Sequence, residues 1–162
     1  MRDSPPPRYL ALVGFLIVTF AAAGIGSAAT FPSVHTWYPT LAKPSWTPPS
    51  WLFGPVWMTL YVAMAVAAWR VWRGLHGAPA ATAVVVLFGT QIALNALWSI
   101  LFFGMRRPGL ALVDIVALWV LLVVILVRFW RADRISGLLW TPYVAWVSFA
   151  TALNAAIWNL NC

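Results

Sequence analysis

A chain of 162 residues that is 63% hydrophobic and only 8% charged cannot hide its apolar surface inside one soluble domain, so its solvent must be lipid. The net charge of +7 does not signal nucleic acid, because the basic residues stand in small groups between apolar runs and form no single patch. One cysteine, Cys162, excludes an internal disulfide and a thiolate metal site, and the length calls for one domain, residues 1–162.

The chain opens with Arg2, Arg8 and an SPPP stretch that reads as a disordered lead-in. The first apolar run, residues 10–29, ends in GIGSAAT, which has the small residues of a signal-peptide cleavage site. Its apolar length exceeds the ~7–15 residues of such a segment, so it is read as a membrane span. Four further runs follow, at about residues 51–69, 80–103, 109–127 and 137–157. Each is close to the ~20 residues a bilayer core demands. The runs are continuous and do not alternate, which excludes a β-barrel. The expected fold class is therefore an all-α integral membrane protein, a bundle of five transmembrane helices.

Between the first two runs lies WYPTLAKPSWTPPSW, residues 37–51, with three tryptophans, four prolines and one lysine. Ordinary connectors are short, polar and glycine-rich. Here Pro39, Pro44, Pro48 and Pro49 fix φ repeatedly, so little entropy remains to be lost on ordering. Two readings stand side by side: an aromatic belt in the headgroup zone, or a lid over a pocket.

In the second run Trp57 and Tyr61 share a face. In the third, Gln91, Asn95, Trp98 and Phe102 do so, and Gly89 with Ala93 forms a small-xxx-small pair for close packing, either within the bundle or between protomers. Asp114, in the fourth run, is expected to meet Arg106 or Arg107 in a salt bridge or cap, since no second intramembrane carboxylate exists for a proton relay. In the fifth, Trp146, Ala150 and Asn154 form a stripe, and Pro142 should loosen the helix. Intramembrane polar groups face protein or a cavity. They serve either helix–helix hydrogen bonding or a mostly apolar pocket for a flat, aromatic, amphipathic ligand. His35 and His76 are isolated, and each is read as an interfacial histidine rather than a haem ligand. No catalytic triad, metal-ligand cluster, phosphate loop or carboxylate pair is present in the sequence.

Orientation follows from the basic residues. Arg2, Arg8, Arg70, Arg73, Arg128, Arg131 and Arg134 lie on one side of the predicted spans, against Lys43, Arg106 and Arg107 on the other. This asymmetry places the N-terminus in the cytoplasm and Cys162 outside.

The stretch WYPTLAKPSWTPPSW, then FGPVWMTLY, ALNALWSILFFG and PYVAWVSFATALN, resembles the TspO/MBR family. That family comprises the tryptophan-rich sensory proteins of bacteria and the mitochondrial translocator protein, or peripheral-type benzodiazepine receptor. The likeness covers nearly the whole chain, and its W-Y-x(4)-K-P-x-W-x-P-P pattern is specific. It implies a five-helix bundle, often dimeric, with the Pro/Trp-rich loop folded as a lid over a pocket. It also implies ligands of the porphyrin class, protoporphyrin IX or haem, and benzodiazepine-type drugs, with no required cofactor and no metal site. By position, Trp57 and Asn95 match donors to a drug carbonyl, and Tyr38, Pro48, Trp98, Trp146 and Ala150 match pocket-lining residues. Trp37 and Trp146 match tryptophans tied to light-dependent porphyrin breakdown in some bacterial members. The segment ALNAAIWNLNC lacks the tyrosine and basic residue of the animal sterol-recognition stretch, which speaks against sterol binding. The resemblance implies a membrane receptor or sensor in a bacterial cell membrane that regulates or transports tetrapyrroles. A porphyrin-oxidising enzyme is the alternative, and a homodimer is compatible with both.

Overall fold

The computed structural model describes residues 8–75 and 78–162. The SPPP lead-in, Arg2 and His76 lie outside them. Five helices run through the described residues: α1 Arg8–Val34, α2 Ser50–Gly74, α3 Pro79–Ser99, α4 Pro108–Ala132 and α5 Arg134–Leu160. A single 3-10 turn, Tyr38–Thr40, interrupts the first connection, and a π-helical turn, Ile100–Gly104, extends α3. α3 and α4 each start at a proline, whose missing N–H and fixed φ suit a first helical turn. Asp133 caps α5, accepting hydrogen bonds from Ile135 N at 3.4 Å and Ser136 N at 3.3 Å.

Every helix outruns its predicted apolar stretch, α3 only when the π-helical turn is counted with it. Hydropathy marks only the part that crosses hydrocarbon, whereas a helix continues for as long as its own backbone bonds are met. α1 thus passes through Pro32, which removes just one N–H near its end. α5 likewise continues unbroken through Pro142. By length and composition α1 to α4, the last turns of α3 included, suffice to cross a membrane. α5 is as long as α1 but less apolar, because Trp140, Tyr143, Trp146 and Asn154 face the bundle.

Packing sets the circular order α1, α2, α5, α4, α3, each helix lying against the next and α3 closing on α1. The face α2 turns inward carries Met64, Ala65, Ala67 and Ala68, all fully buried. Its alanines let neighbouring backbones approach closely, which is how helices associate where lipid gives no hydrophobic drive. Outward faces bear Ile17, Val86, Val113 and Leu138, in keeping with a lipid surround.

The expected partner of Asp114 is not there. Arg106 and Arg107 precede α4 and are exposed, whereas Asp114 lies on the buried stripe of Ala111, Ile115 and Leu118, with Oδ2 unpartnered. Helix phase turns Asp114 to the core, and about two turns of helix separate it from the arginines, which stand in solvent before the helix begins. Among the described residues the ion pair is instead Arg70 Nε to Asp133 Oδ2, at 2.8 Å.

Candidate functional site

The ends of α1 and α3, the start of α2 and the outer part of α5 meet at the end of the bundle where the first connection runs. Between them lies a cavity of about 360 Å³, at the small end of the ~300–1,000 Å³ usual for ligand sites. Trp57 and Tyr61 enter it from α2, Trp98 from α3, Trp146 and Ala150 from α5, and Tyr38 from the first connection. α1 supplies a wall of small residues, Ala23, Gly26, Ser27 and Thr30. At Gly26 a β-carbon would stand 3.2 Å from Ser99 Oγ, so α1 and α3 approach closely at this level. Phe31 and Met58, 70% and 55% exposed, line the seam between α1 and α2.

The structure brings together five of the residues named from sequence: Tyr38, Trp57, Trp98, Trp146 and Ala150. Pro48, Asn95 and Trp37 are not among those that line the cavity. Trp37 stands behind the wall, edge-on to Phe102 at 5.8 Å. Asn95 is 6% exposed and committed elsewhere. Its Oδ1 accepts from Tyr61 OH at 3.2 Å and its Nδ2 donates to Tyr143 OH at 3.1 Å. Tyr143 OH in turn donates to Gln91 Oε1 at 3.0 Å, and Gln91 Nε2 reaches Met64 Sδ at 3.7 Å. This relay ties α2, α3 and α5 together, satisfying buried polar groups where lipid offers none. Asn154 does the same nearer the cavity end, accepting from Trp98 Nε1 at 2.9 Å and donating to Pro108 O at 2.8 Å.

The α1 wall was missed because Ala23, Ser27 and Thr30 carry no chemistry that stands out in a sequence. The π-helical turn was equally invisible, and it matters here. By widening the helix it turns Phe102 and Phe103 toward the first connection, where both rings meet Tyr38, at 6.4 and 5.6 Å. Burial pushes the Tyr38 phenol above its ordinary pKa, so it stays neutral. The connection is stiffened from within by Lys43, whose Nζ donates to Tyr38 O at 2.8 Å and Leu41 O at 3.1 Å and sits 4.9 Å from the Tyr38 ring centre.

A second depression, about 590 Å³, is an open apolar groove between α2 and α5, lined by Pro55, Thr59, Pro142 and Ala145. It is the larger of the two, yet it brings no polar groups together. The deeper, aromatic-walled cavity is the better site. Trp146 forms part of both walls, and its indole Nε1 is buried without a partner.

Long apolar helices packed around an aromatic cavity define an integral, multi-pass membrane protein. A profile of the TspO/MBR family matches residues 15–159. The chain is 42% identical to the tryptophan-rich protein TspO of Archaeoglobus fulgidus over 152 residues, 94% of this chain and 97% of that one. It is 39% identical to protein CrtK of Rhodobacter capsulatus over 152 residues, 94% and 95% of the two chains. It is 36% identical to the human translocator protein over 156 residues, 96% and 92% of the two. The chain belongs to the TspO/MBR family.

Proposed function

We propose that this protein is a membrane receptor or sensor that binds a tetrapyrrole, protoporphyrin IX or haem, in the cavity under the first connection. The observation that carries the reading is the cavity wall. Three indole rings and two phenols, from three helices and the connection, surround a space with few polar groups, which suits a flat, aromatic, amphipathic ligand. The first connection acts as its lid. The arginine asymmetry puts that lid on the outer side of a bacterial membrane, with the N-terminus inside and α5 as the fifth span. The test is a titration of purified protein with protoporphyrin IX. Saturable quenching of tryptophan fluorescence with a shifted Soret band is expected; a linear, unsaturable response refutes the reading.

The position of Trp146 favours one second reading, light-driven porphyrin oxidation. Indole is the most readily oxidised of the common side-chain rings, and a porphyrin against Trp146 would place an excited acceptor beside a donor. Trp37, outside the cavity wall, would act only through Phe102. Illumination with oxygen present is expected to bleach the Soret band, and Trp146→Phe to slow this more than Trp37→Phe. Many porphyrins converted per protein would establish an enzyme; an end near one equivalent, with oxidised tryptophan, would establish chemistry at a receptor.

A further inference from the structure

We infer that Asn161 is the latch of the first connection, a positioning residue that holds the cover of the cavity shut and sets how fast the cavity loads and empties. Asn161 lies just past the end of α5. Its Oδ1 accepts from Ala42 N at 3.0 Å, and its Nδ2 donates to Ala42 O at 2.9 Å. The second Nδ2 proton goes to Ile157 O at 2.7 Å, which anchors the amide to the helix that carries it. The side chain thus meets both polar groups of one peptide residue, as a neighbouring β-strand would.

These two bonds stand alone in a specific sense. Apart from bonds within its own turns and to the helix ends it joins, residues 35–49 make no other hydrogen bond to the bundle among the described residues. The remaining attachment is apolar packing, of Tyr38 and Trp37 on the π-helical turn, of Leu41 in the same cluster with Leu153 and Ile157, and of Trp46 on Phe149 at 5.7 Å. Packing of this kind slides, whereas a two-point hydrogen-bonded pair fixes register and orientation. The connection itself is rigid, with its prolines and the Lys43 staple, so it moves as a plate when released. Ala42, to which the latch attaches, lies near the middle of that plate. For the connection to lift from the cavity, the bonds that must break are the pair on Ala42.

The exchange measurement below stands without any ligand, whereas the kinetic measurement rests on the porphyrin reading. Full-length protein in lipid nanodiscs is compared as wild type, N161A and N161D. The first readout is hydrogen–deuterium exchange over residues 35–49. The second is the association and dissociation rate of protoporphyrin IX. For N161A, exchange is expected to rise about tenfold, and both rates to rise about tenfold with the affinity changed less than twofold. N161D at neutral pH keeps the acceptor for Ala42 N but loses both donors and sets a carboxylate oxygen against Ala42 O, so its exchange at pH 7 is also expected to rise above wild type. Below a carboxyl pKa of about 3.9 its side chain regains one donor beside one acceptor, and exchange returns to that of wild type at the same pH. A side chain that merely stabilised α5 would lower the melting point and affinity together, with no such pH-dependent rescue. Unchanged exchange in N161A overturns the latch. Faster exchange with unchanged porphyrin rates overturns the loading role, since ligand then enters elsewhere, by way of the seam between α1 and α2. Faster exchange in a protein that binds no porphyrin supports the latch and refutes the porphyrin reading alone.

Discussion

At the scale of single residues, the amides and indoles of the bundle divide into those already bonded and those left over. Asn95 belongs to the first group, its carbonyl and amide both engaged with tyrosines. Asn95→Ala is therefore expected to act chiefly on stability, at about 1–3 kcal/mol, by leaving the Tyr61 and Tyr143 hydroxyls short of partners. Trp57 presents its ring to the cavity. Trp57→Phe keeps aromatic bulk while removing a donor, so it should weaken a carbonyl-bearing ligand by about 1–2 kcal/mol and leave the melting point nearly unchanged. Trp119 donates to Ser148 Oγ at 2.7 Å on an exposed face of α4, and Trp119→Phe should leave ligand affinity as it is. Paired melting curves and titrations of the three variants check this division. An Asn95 variant that melts normally but loses ligand would return that amide to the site.

Among the helices, the tightest junction is that between α4 and α5, joined through the single residue Asp133. Gly137 lies at their crossing, where a β-carbon would stand 2.9 Å from Trp130 Cα and press on its ring as well. Backbone cannot step aside, so Gly137→Ala should cost at least about 1–3 kcal/mol, read as a lower melting point in detergent. Asp133 joins three elements: it caps α5, accepts from Ser136 Oγ at 2.6 Å, and pairs with Arg70 of α2. The Arg70 guanidinium first, then the Ser136 hydrogen bond, holds its pKa down to about 2. A depressed carboxyl stabilises the fold fully above its unfolded pKa of about 3.9, and that contribution fades as pH falls toward about 2. With a quarter of the side chain in solvent, screening limits the contribution to about 1 kcal/mol. Melting points of wild type and Asp133→Asn should differ at pH 6 and converge by pH 2.

For the whole molecule, orientation in the membrane decides where the cavity faces. Arg70, Arg73, Arg128, Arg131 and Arg134 gather at the end of the bundle opposite the first connection, and Cys162 is exposed at the connection's end. If the arginines lie in the cytoplasm, a membrane-impermeant thiol reagent labels Cys162 in intact cells without permeabilisation. Labelling that appears only after permeabilisation reverses the assignment and places the cavity on the inner side.

The helices were legible from the chain alone because a bilayer admits few alternatives. Twenty apolar residues in a row must close their own backbone bonds, and only a helix does so within one segment. The aromatic residues of the cavity were legible for a related reason: bulky indoles recurring at helical spacing have to share a face. Neither argument reaches across helices. Asn95 and Tyr61 share one hydrogen bond from two different helices, and sequence spacing cannot say whether that amide serves a ligand or a neighbour. Packing buried Asp114 in the core about two turns beyond two arginines that stay in solvent before α4. The small residues of α1 became a wall because three other elements close around them, and Asn161 became a latch because folding brings it to Ala42. Periodicity along one helix, imposed by the backbone, determined the elements and their apolar faces. Partners separated by tens of residues were decided by packing, because phase and contact between helices depend on all five side-chain surfaces at once.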